Sequence, residues 1–419
     1  MLNSLLTVEI FFYTIIALVI FEFLLSKTLS YLNTKNWSDK LPKELEGIYD
    51  QEKYAKSMKY EKAKHKFSNI SSILSFNVMI FLLIFGAFGA LYNYLTIFTS
   101  NVILLTLYFF GIIAFVQTIV GLPFSYYSTF VIEEKFGFNK MTKKLFFIDA
   151  IKGLVLSFII GGLLLALVTW IYTITGTYFW IYAWVLITAF SVFMMMFYSS
   201  LIVPLFNKQT PLEDGKLRDE IEAFASSVGF KLDNIFVIDG SKRSSKANAY
   251  FSGFGPKKRI VLYDTLIKDL SKNELVAVLA HEIGHYKKKH TLQMLAFSIF
   301  QTGIMFYILG ITLTYNEVSF ALGSKMPSFA LGLLAFGILF TPISIIFGLI
   351  GNIFSRKNEY EADHFAGTNY KANKLKSALI KLSINNLSNL RPHPAYEFFY
   401  YSHPTVLKRL NALDKIKKK

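Results

Sequence analysis

Seven apolar runs, near 5–25, 73–95, 102–122, 154–174, 180–201, 294–313 and 330–350, constrain this chain more than any other feature. Each is close to the roughly 20 residues that a helix needs to cross the hydrocarbon core of a bilayer. No water is available there to satisfy backbone N–H and C=O groups, so the runs must be helices, whose hydrogen bonds are internal. Composition agrees, since 53% hydrophobic and only 17% charged residues over 419 positions are rare for a soluble domain. The pattern predicts an integral membrane protein with seven transmembrane helices. The first run lacks a basic leading segment and a small-residue cleavage site and contains Glu9 and Glu22, so it reads as a retained span. Both acids are costly against lipid and are expected to face the bundle or the interfaces.

The net charge of +16 is unevenly spread. Lysines and arginines crowd 27–66, 135–152, 208–289 and everything after Arg356, while the connections near Asn101, 173–178 and 315–328 carry almost none. That alternation follows the positive-inside rule, placing the N-terminus outside and the basic loops and C-terminus in the cytoplasm. It assigns the charge to topology and anionic headgroups, not to a nucleic-acid surface. With no cysteine, disulfides and thiolate chemistry are excluded.

Two polar regions interrupt the membrane pattern. One, about 27–69, reads as a helix leaving the first span. The other, 204–290, is long enough to fold as a small α+β unit. Within it 216–228 is amphipathic, 234–239 and 259–264 read as short strands, and 248–251 reads as a third strand at a sheet edge near Gly253 and Gly255. Ser271 and Glu274 form a capping box that opens a further helix. The chain therefore divides into 1–203 with five spans, 204–290 in the cytoplasm, 291–354 with spans six and seven, and a C-terminal segment 355–419 that ends in a basic tail.

On the helix opened by Ser271 lies His281-Glu282-Ile283-Gly284-His285, an H-E-x-x-H motif. Residues four apart on a helix differ by about 40° in azimuth, so both imidazoles leave one face, a spacing suited to two ligands of one tetrahedral Zn2+ ion. Glu282 adjoins them and can take a proton from water activated by the metal, then pass it to a leaving amine. Such a site needs one more protein ligand. After the last apolar run come Glu359, Glu361 and Asp363. Glu359 and Asp363 share a helical face, while Glu361 points nearly opposite and reads as a solvated acid. Glu359 is assigned to the metal and Asp363 to accepting a ring N–H from a ligating histidine. His364 is an alternative ligand. His65, His290 and His393 read as ordinary surface or interface residues.

At this point the sequence resembles the CAAX prenyl protease 1 family, membrane zinc metalloproteases of the gluzincin type. The likeness extends beyond the metal motif. It includes Phe130-Val131-Ile132-Glu133-Glu134-Lys135 with Gly137-Phe138-Asn139, and Ile202-Val203-Pro204-Leu205-Phe206-Asn207-Lys208 with Thr210-Pro211-Leu212. It continues in Ser241-Lys242-Arg243-Ser244-Ser245, Asn248-Ala249-Tyr250-Phe251 and Lys258-Arg259-Ile260-Val261-Leu262, and less tightly in Ile48-Tyr49-Asp50. The resemblance implies a seven-helix barrel around a water-filled chamber, closed at its cytoplasmic end by the zinc domain. It implies cleavage of the last three residues from a prenylated C-terminal cysteine. His281, His285 and Glu359 match the zinc ligands, Glu282 the base, and Asn248-Ala249-Tyr250 the strand edge that pairs with substrate, consistent with added-strand recognition. His403 and Arg409 match positions that steady the oxyanion and the substrate's carboxy end, and a structural ion pair is the other reading of Arg409. Lys246, Ala247 and Asn358 depart from the family's eukaryotic pattern.

The expected activity is thus that of a membrane zinc endopeptidase acting on CAAX-type or other hydrophobic peptides, in a bacterial inner membrane or the endoplasmic reticulum. Its partners are a peptide or protein substrate and the lipid bilayer. A quality-control protease without a prenyl requirement is an alternative. A transporter using Glu9, Glu22 and Asp149 is a third reading, disfavoured because a transporter has no use for a base beside a metal.

Overall fold

The computed structural model describes residues 2–47, 49–230, 235–253 and 258–416; of the positions singled out above, Ile48, Asn234, Gly255 and 417–419 lie outside these. Among the described residues, Leu6–Lys35, Gln51–Ile84, Val102–Phe136, Lys143–Phe206 and His290–Thr312 are helical stretches long and apolar enough to span a membrane. A pair bent by 52°, Phe329–Leu339 with Thr341–Asn369, makes a sixth. Their outer faces expose large apolar side chains such as Phe81, Ile119, Val155 and Leu163, which suits a lipid solvent and not water. The protein is a mostly helical integral membrane protein.

Two expectations are corrected. The polar region 27–69 is not one helix. It comprises the end of the helix Leu2–Lys35, a linker with the 3-10 turn Lys43–Leu45, and the front of the helix Gln51–Ile84. Asp50 causes the restart, because its carboxylate accepts from the free N–H groups of Glu52 and Lys53. The run 73–95 is also broken. Its helix stops at Ile84, Gly86 takes a left-handed turn at φ 59°, and a second helix covers Ala87–Leu95. The break serves a close backbone approach: Gly89 N–H donates to Leu322 O at 2.9 Å, and a Cβ on Gly89 would lie 2.1 Å from the Gly323 carbonyl carbon.

The polar unit between the fifth and sixth apolar runs is a mixed four-stranded sheet covered by helices. Strands β1 (Gln209–Pro211), β2 (Ile235–Ile238), β3 (Ala249–Ser252) and β4 (Arg259–Tyr263) lie in the order β1-β2-β4-β3. β2 and β4 are parallel, and β1 and β3 flank them antiparallel. β3 is therefore an edge strand, with Asn248 just before it. The three-residue β1 was not foreseen, since it is too short to show an alternating pattern. The helix Lys216–Ser227 buries Ile221, Phe224 and Ala225 against the sheet, as its amphipathic spacing requires.

The motif helix, Lys272–Lys287, is the centre of this unit. Ten of its residues between Glu274 and Gly284 are buried, and the apolar ones such as Leu275, Leu279 and Ile283 share one core with Ile260, Leu262 and Leu375. It starts in the expected capping box. Glu274 is itself buried, and accepts from Ser271 N–H at 2.8 Å, Ser377 Oγ at 2.5 Å and Lys381 Nζ at 2.8 Å. Burial pushes its pKa up, but these donors outweigh it and hold the carboxyl at about 2.

Two outcomes follow. Gly89→Ala drives a methyl into rigid backbone and is expected to lower the melting temperature in detergent by several degrees; an unchanged value would show that the Gly323 turn yields freely. Glu274→Gln is expected to cost about 2 kcal/mol at pH 7. Because the folded pKa is depressed, that contribution is complete above about pH 5 and disappears as pH falls toward about 2. The melting gap between variant and wild type should therefore close on acidification.

Candidate metal centre

The motif helix crosses the helix Thr341–Asn369 at very short range. Gly284 makes this possible: a Cβ there would meet Ala362 Cα and O at 3.2 Å. A side chain there would require the facing helix to give by a few tenths of an ångström, and a bulky one would press on the helix that carries Glu359.

At the crossing His281, His285 and Glu359 converge. His281 Nε2 and His285 Nε2 are 3.1 Å apart, His285 Nε2 is 3.2 Å from Glu359 Oε1, and His281 Nε2 is 3.5 Å from Glu359 Oε2. Donors about 2.05 Å from a tetrahedral ion such as zinc lie roughly 3.3 Å apart, so the triangle has the right size. The chemistry fits too. Two ring nitrogens and a carboxylate point at one space, an arrangement that a cation resolves.

The far side of His281 is held by a buried lock. Its Nδ1 lies 2.9 Å from Asp363 Oδ1, and Arg409 grips Asp363 with Nε at 2.8 Å and Nη2 at 2.6 Å. Arg409 Nη1 also lies 3.1 Å from Glu359 Oε2. Burial lowers the His281 pKa, but hydrogen bonds to Asp363 and Glu359 outweigh it and hold it at about 9, so a proton competes with a metal ion for this ring. Arg409 borders the cavity, yet its guanidinium is committed to these carboxylates, which is the ion-pair reading of the residue.

The centre opens into a cavity of about 500 Å³ lined by Glu282, His403 and Asn248-Ala249-Tyr250, so the structure brings all the site residues singled out in the sequence to one place. Glu282 is half-buried; burial raises its pKa against the pull of His281 and His285, making it a better proton acceptor than an exposed carboxylate. His403 Nε2 is 3.3 Å from Glu359 Oε1, and its Nδ1 is 2.9 Å from Ser402 Oγ. His364 is exposed and outside the ligand group.

Two readings are sharpened. His290, read as a surface or interface residue, is 3% exposed, with Nδ1 3.0 Å from His285 Nδ1. Glu361, expected to be a solvated acid, lies 3.2 Å from His290 Nε2. Helical spacing hid both, since His290 follows the left-handed Lys289 and so leaves the motif helix's periodicity. Buried Asn358 also borders the cavity.

Comparison with known proteins gives a consistent result. Residues 211–417 match the model for peptidase family M48, and residues 30–208 match that for the CAAX prenyl protease N-terminal region with five membrane helices. The chain is 39% identical to CAAX prenyl protease 1 of Saccharomyces cerevisiae over 95% of its length and 94% of that protein's. It is 41% identical to the Arabidopsis thaliana homologue, covering 89% of this chain and 90% of that one. The chain belongs to peptidase family M48. The crystal structure of S. mikatae Ste24p superposes with a TM-score of 0.90 at 39% identity, over 96% of this chain and 99% of that one. This M48 member is a membrane metallopeptidase, and its core is the helix crossing described above.

Arg409→Ala would leave two buried carboxylates without their cation and is expected to cost roughly 3–5 kcal/mol. Asp363→Asn, which keeps the shape, is expected to weaken metal retention about 10–100-fold. Thermal unfolding and chelator competition read these separately. Wild-type behaviour of Arg409→Ala in both would refute the lock.

Proposed function

We propose that this M48 protein is a zinc metalloendopeptidase that removes C-terminal residues from CAAX-type, prenylated peptides or similarly hydrophobic ones. The observation that carries this reading is the His281–His285–Glu359 triangle, with Glu282 beside it in a cavity bordered by an unpaired strand edge. Curated relatives over nearly the whole chain are CAAX prenyl proteases, which supports the substrate class.

His281, His285 and Glu359 would hold one Zn2+ per chain, with Asp363 accepting the His281 ring proton. Zinc bound there supplies a Lewis acid that polarises the scissile carbonyl and eases deprotonation of water. Glu282 takes the proton of the attacking water and returns it to the departing amine. His403 presents a ring nitrogen on the cavity side and is suited to steady the developing oxyanion. Asn248, Ala249 and Tyr250 align an extended peptide by strand addition to β3, which gives affinity through main-chain bonds whatever the side chains. Arg409 orients the site through Asp363 and Glu359, and it borders the space that a substrate carboxylate would enter.

The full membrane architecture is part of this reading. The stretch Lys143–Phe206 supplies two spans, a division supported by the 3-10 turn Gly176–Tyr178, with Gly176 at φ 53°, and by packing between the helices on either side. With the bent pair this reading counts seven helices around a chamber. The basic segments support a cytoplasmic peptidase unit, residues 204–290 and 355–419, at the endoplasmic reticulum membrane in a eukaryote or the inner membrane in a bacterium.

Glu282→Gln tests the chemistry. It is expected to retain equimolar zinc while kcat falls about 10²–10⁴-fold. Absence of zinc from folded wild type, or full activity of the variant, would overturn the mechanism. A peptide with and without farnesyl-cysteine tests the substrate class: preference for the lipidated form is expected, and indifference would leave a peptidase for hydrophobic segments in general.

A further inference from the structure

His285 Nδ1 points away from the metal-facing triangle, toward a histidine that H-E-x-x-H chemistry does not require. With His285 Nε2 turned to His281 Nε2 at 3.1 Å and Glu359 Oε1 at 3.2 Å, its lone pair belongs to the metal side and its proton to Nδ1. Among the described residues, that proton meets His290 Nδ1 at 3.0 Å. His290 must then carry its own proton on Nε2, which meets Glu361 Oε2 at 3.2 Å. One proton arrangement satisfies both bonds.

We propose that His290 and Glu361 are positioning residues for the metal centre, a relay that fixes the tautomer and orientation of His285. The proposal rests on His285 being a metal ligand. The two ligating histidines are then anchored differently. His281 reaches its carboxylate directly, through Asp363 at 2.9 Å, whereas His285 reaches one through a neutral imidazole spacer. The spacer is a geometric necessity. Glu361 projects nearly opposite Glu359 on their shared helix, so it bears on the centre only around the outside, by way of a ring placed there. The turn that places it is the left-handed Lys289, φ 60°, which ends the motif helix and starts the helix His290–Thr312 with His290 folded back on His285.

A consequence is that one helix, Thr341–Asn369, provides the third ligand and both carboxylate anchors, at positions 359, 361 and 363. A second is that the start of an apolar membrane helix is hydrogen-bonded to a ligand. The anchors also differ in strength. Asp363 is buried and gripped by Arg409, whereas the Glu361 side chain is 38% exposed and its nearest cation, Lys357 Nζ, lies 3.9 Å away. The His285 arm is the weaker one.

The test is metal retention by the full-length, detergent-purified protein in competition with a chelator, with kcat and KM measured on the zinc-loaded forms. His290→Ala is expected to release zinc about 10–100-fold more readily and to lower kcat more than it changes KM. The melting temperature in excess chelator should stay near wild type, which a merely structural role would not predict. His290→Gln, whose amide both accepts and donates, should recover part of the loss. Glu361→Gln keeps an acceptor and should be mild, and Glu361→Ala should approach His290→Ala. The double variant should be no worse than His290→Ala alone. Wild-type zinc retention by His290→Ala, or a Glu361→Ala effect that adds in full to it, would overturn the relay while leaving the peptidase intact. Absence of zinc from wild type would instead overturn the metal assignment beneath it.

Discussion

The crossing of Lys272–Lys287 over Thr341–Asn369 is the contact on which the rest of the molecule depends. It is made by two small residues, Gly284 and Ala362, and its closeness lets side chains from distant parts of the chain share one ion-sized space. The crossing also creates an electrostatic problem. Glu282, Glu359 and Asp363 are drawn together in a largely buried region, where unpaired carboxylates are costly. Arg409 answers part of it by binding Asp363 bidentately and lying against Glu359. A cation in the His281–His285–Glu359 triangle would answer the remainder. The site is therefore held together by charges that would oppose folding if any one were missing.

The sheet edge is tied to the membrane helices by a series of ion pairs in the segment just before β3. Arg243 makes two hydrogen bonds to Asp149, at 2.8 and 3.0 Å, and one to Phe206 O at 2.8 Å. Three residues on, Lys246 pairs with Glu133 at 2.8 Å and with Tyr60 Oη at 2.9 Å. The strand then starts at Ala249, so its edge is located relative to the membrane helices as well as to the metal centre. This gives Asp149 a structural occupation in place of a transport one. Lys246 is one of these anchors.

Much of the site was legible in the sequence because it lies on helices. Spacing within a helix is a distance in space, so His281, Glu282 and His285 could be read as one group, and Glu359 with Asp363 as another. His290 was not legible for the complementary reason. It follows a left-handed residue, and across such a turn sequence spacing says nothing about direction. The contact of Glu361 with His290 was not legible because a helical wheel shows only which way a side chain leaves its own helix, and the wheel omits whatever ring a neighbouring helix sets there. The three-residue β1 and the break at Gly86 escaped for similar reasons, one being too short for a period and the other depending on the backbone at Gly323.

The sequence by itself determined the membrane character, most of the apolar helices that carry it, the edge-strand candidate and the residues that meet at the candidate metal centre. Each of these follows from local periodicity, from charge, or from residue types whose chemistry is specific. Only the tertiary structure decided which carboxylate anchors which histidine, that Arg409 is committed to Asp363 and Glu359, and that His290 stands between His285 and Glu361. Those are relations between elements far apart in the chain. They are set by the helix crossing and the turn at Lys289, where packing and a backbone dihedral, not residue spacing, determine which atoms meet.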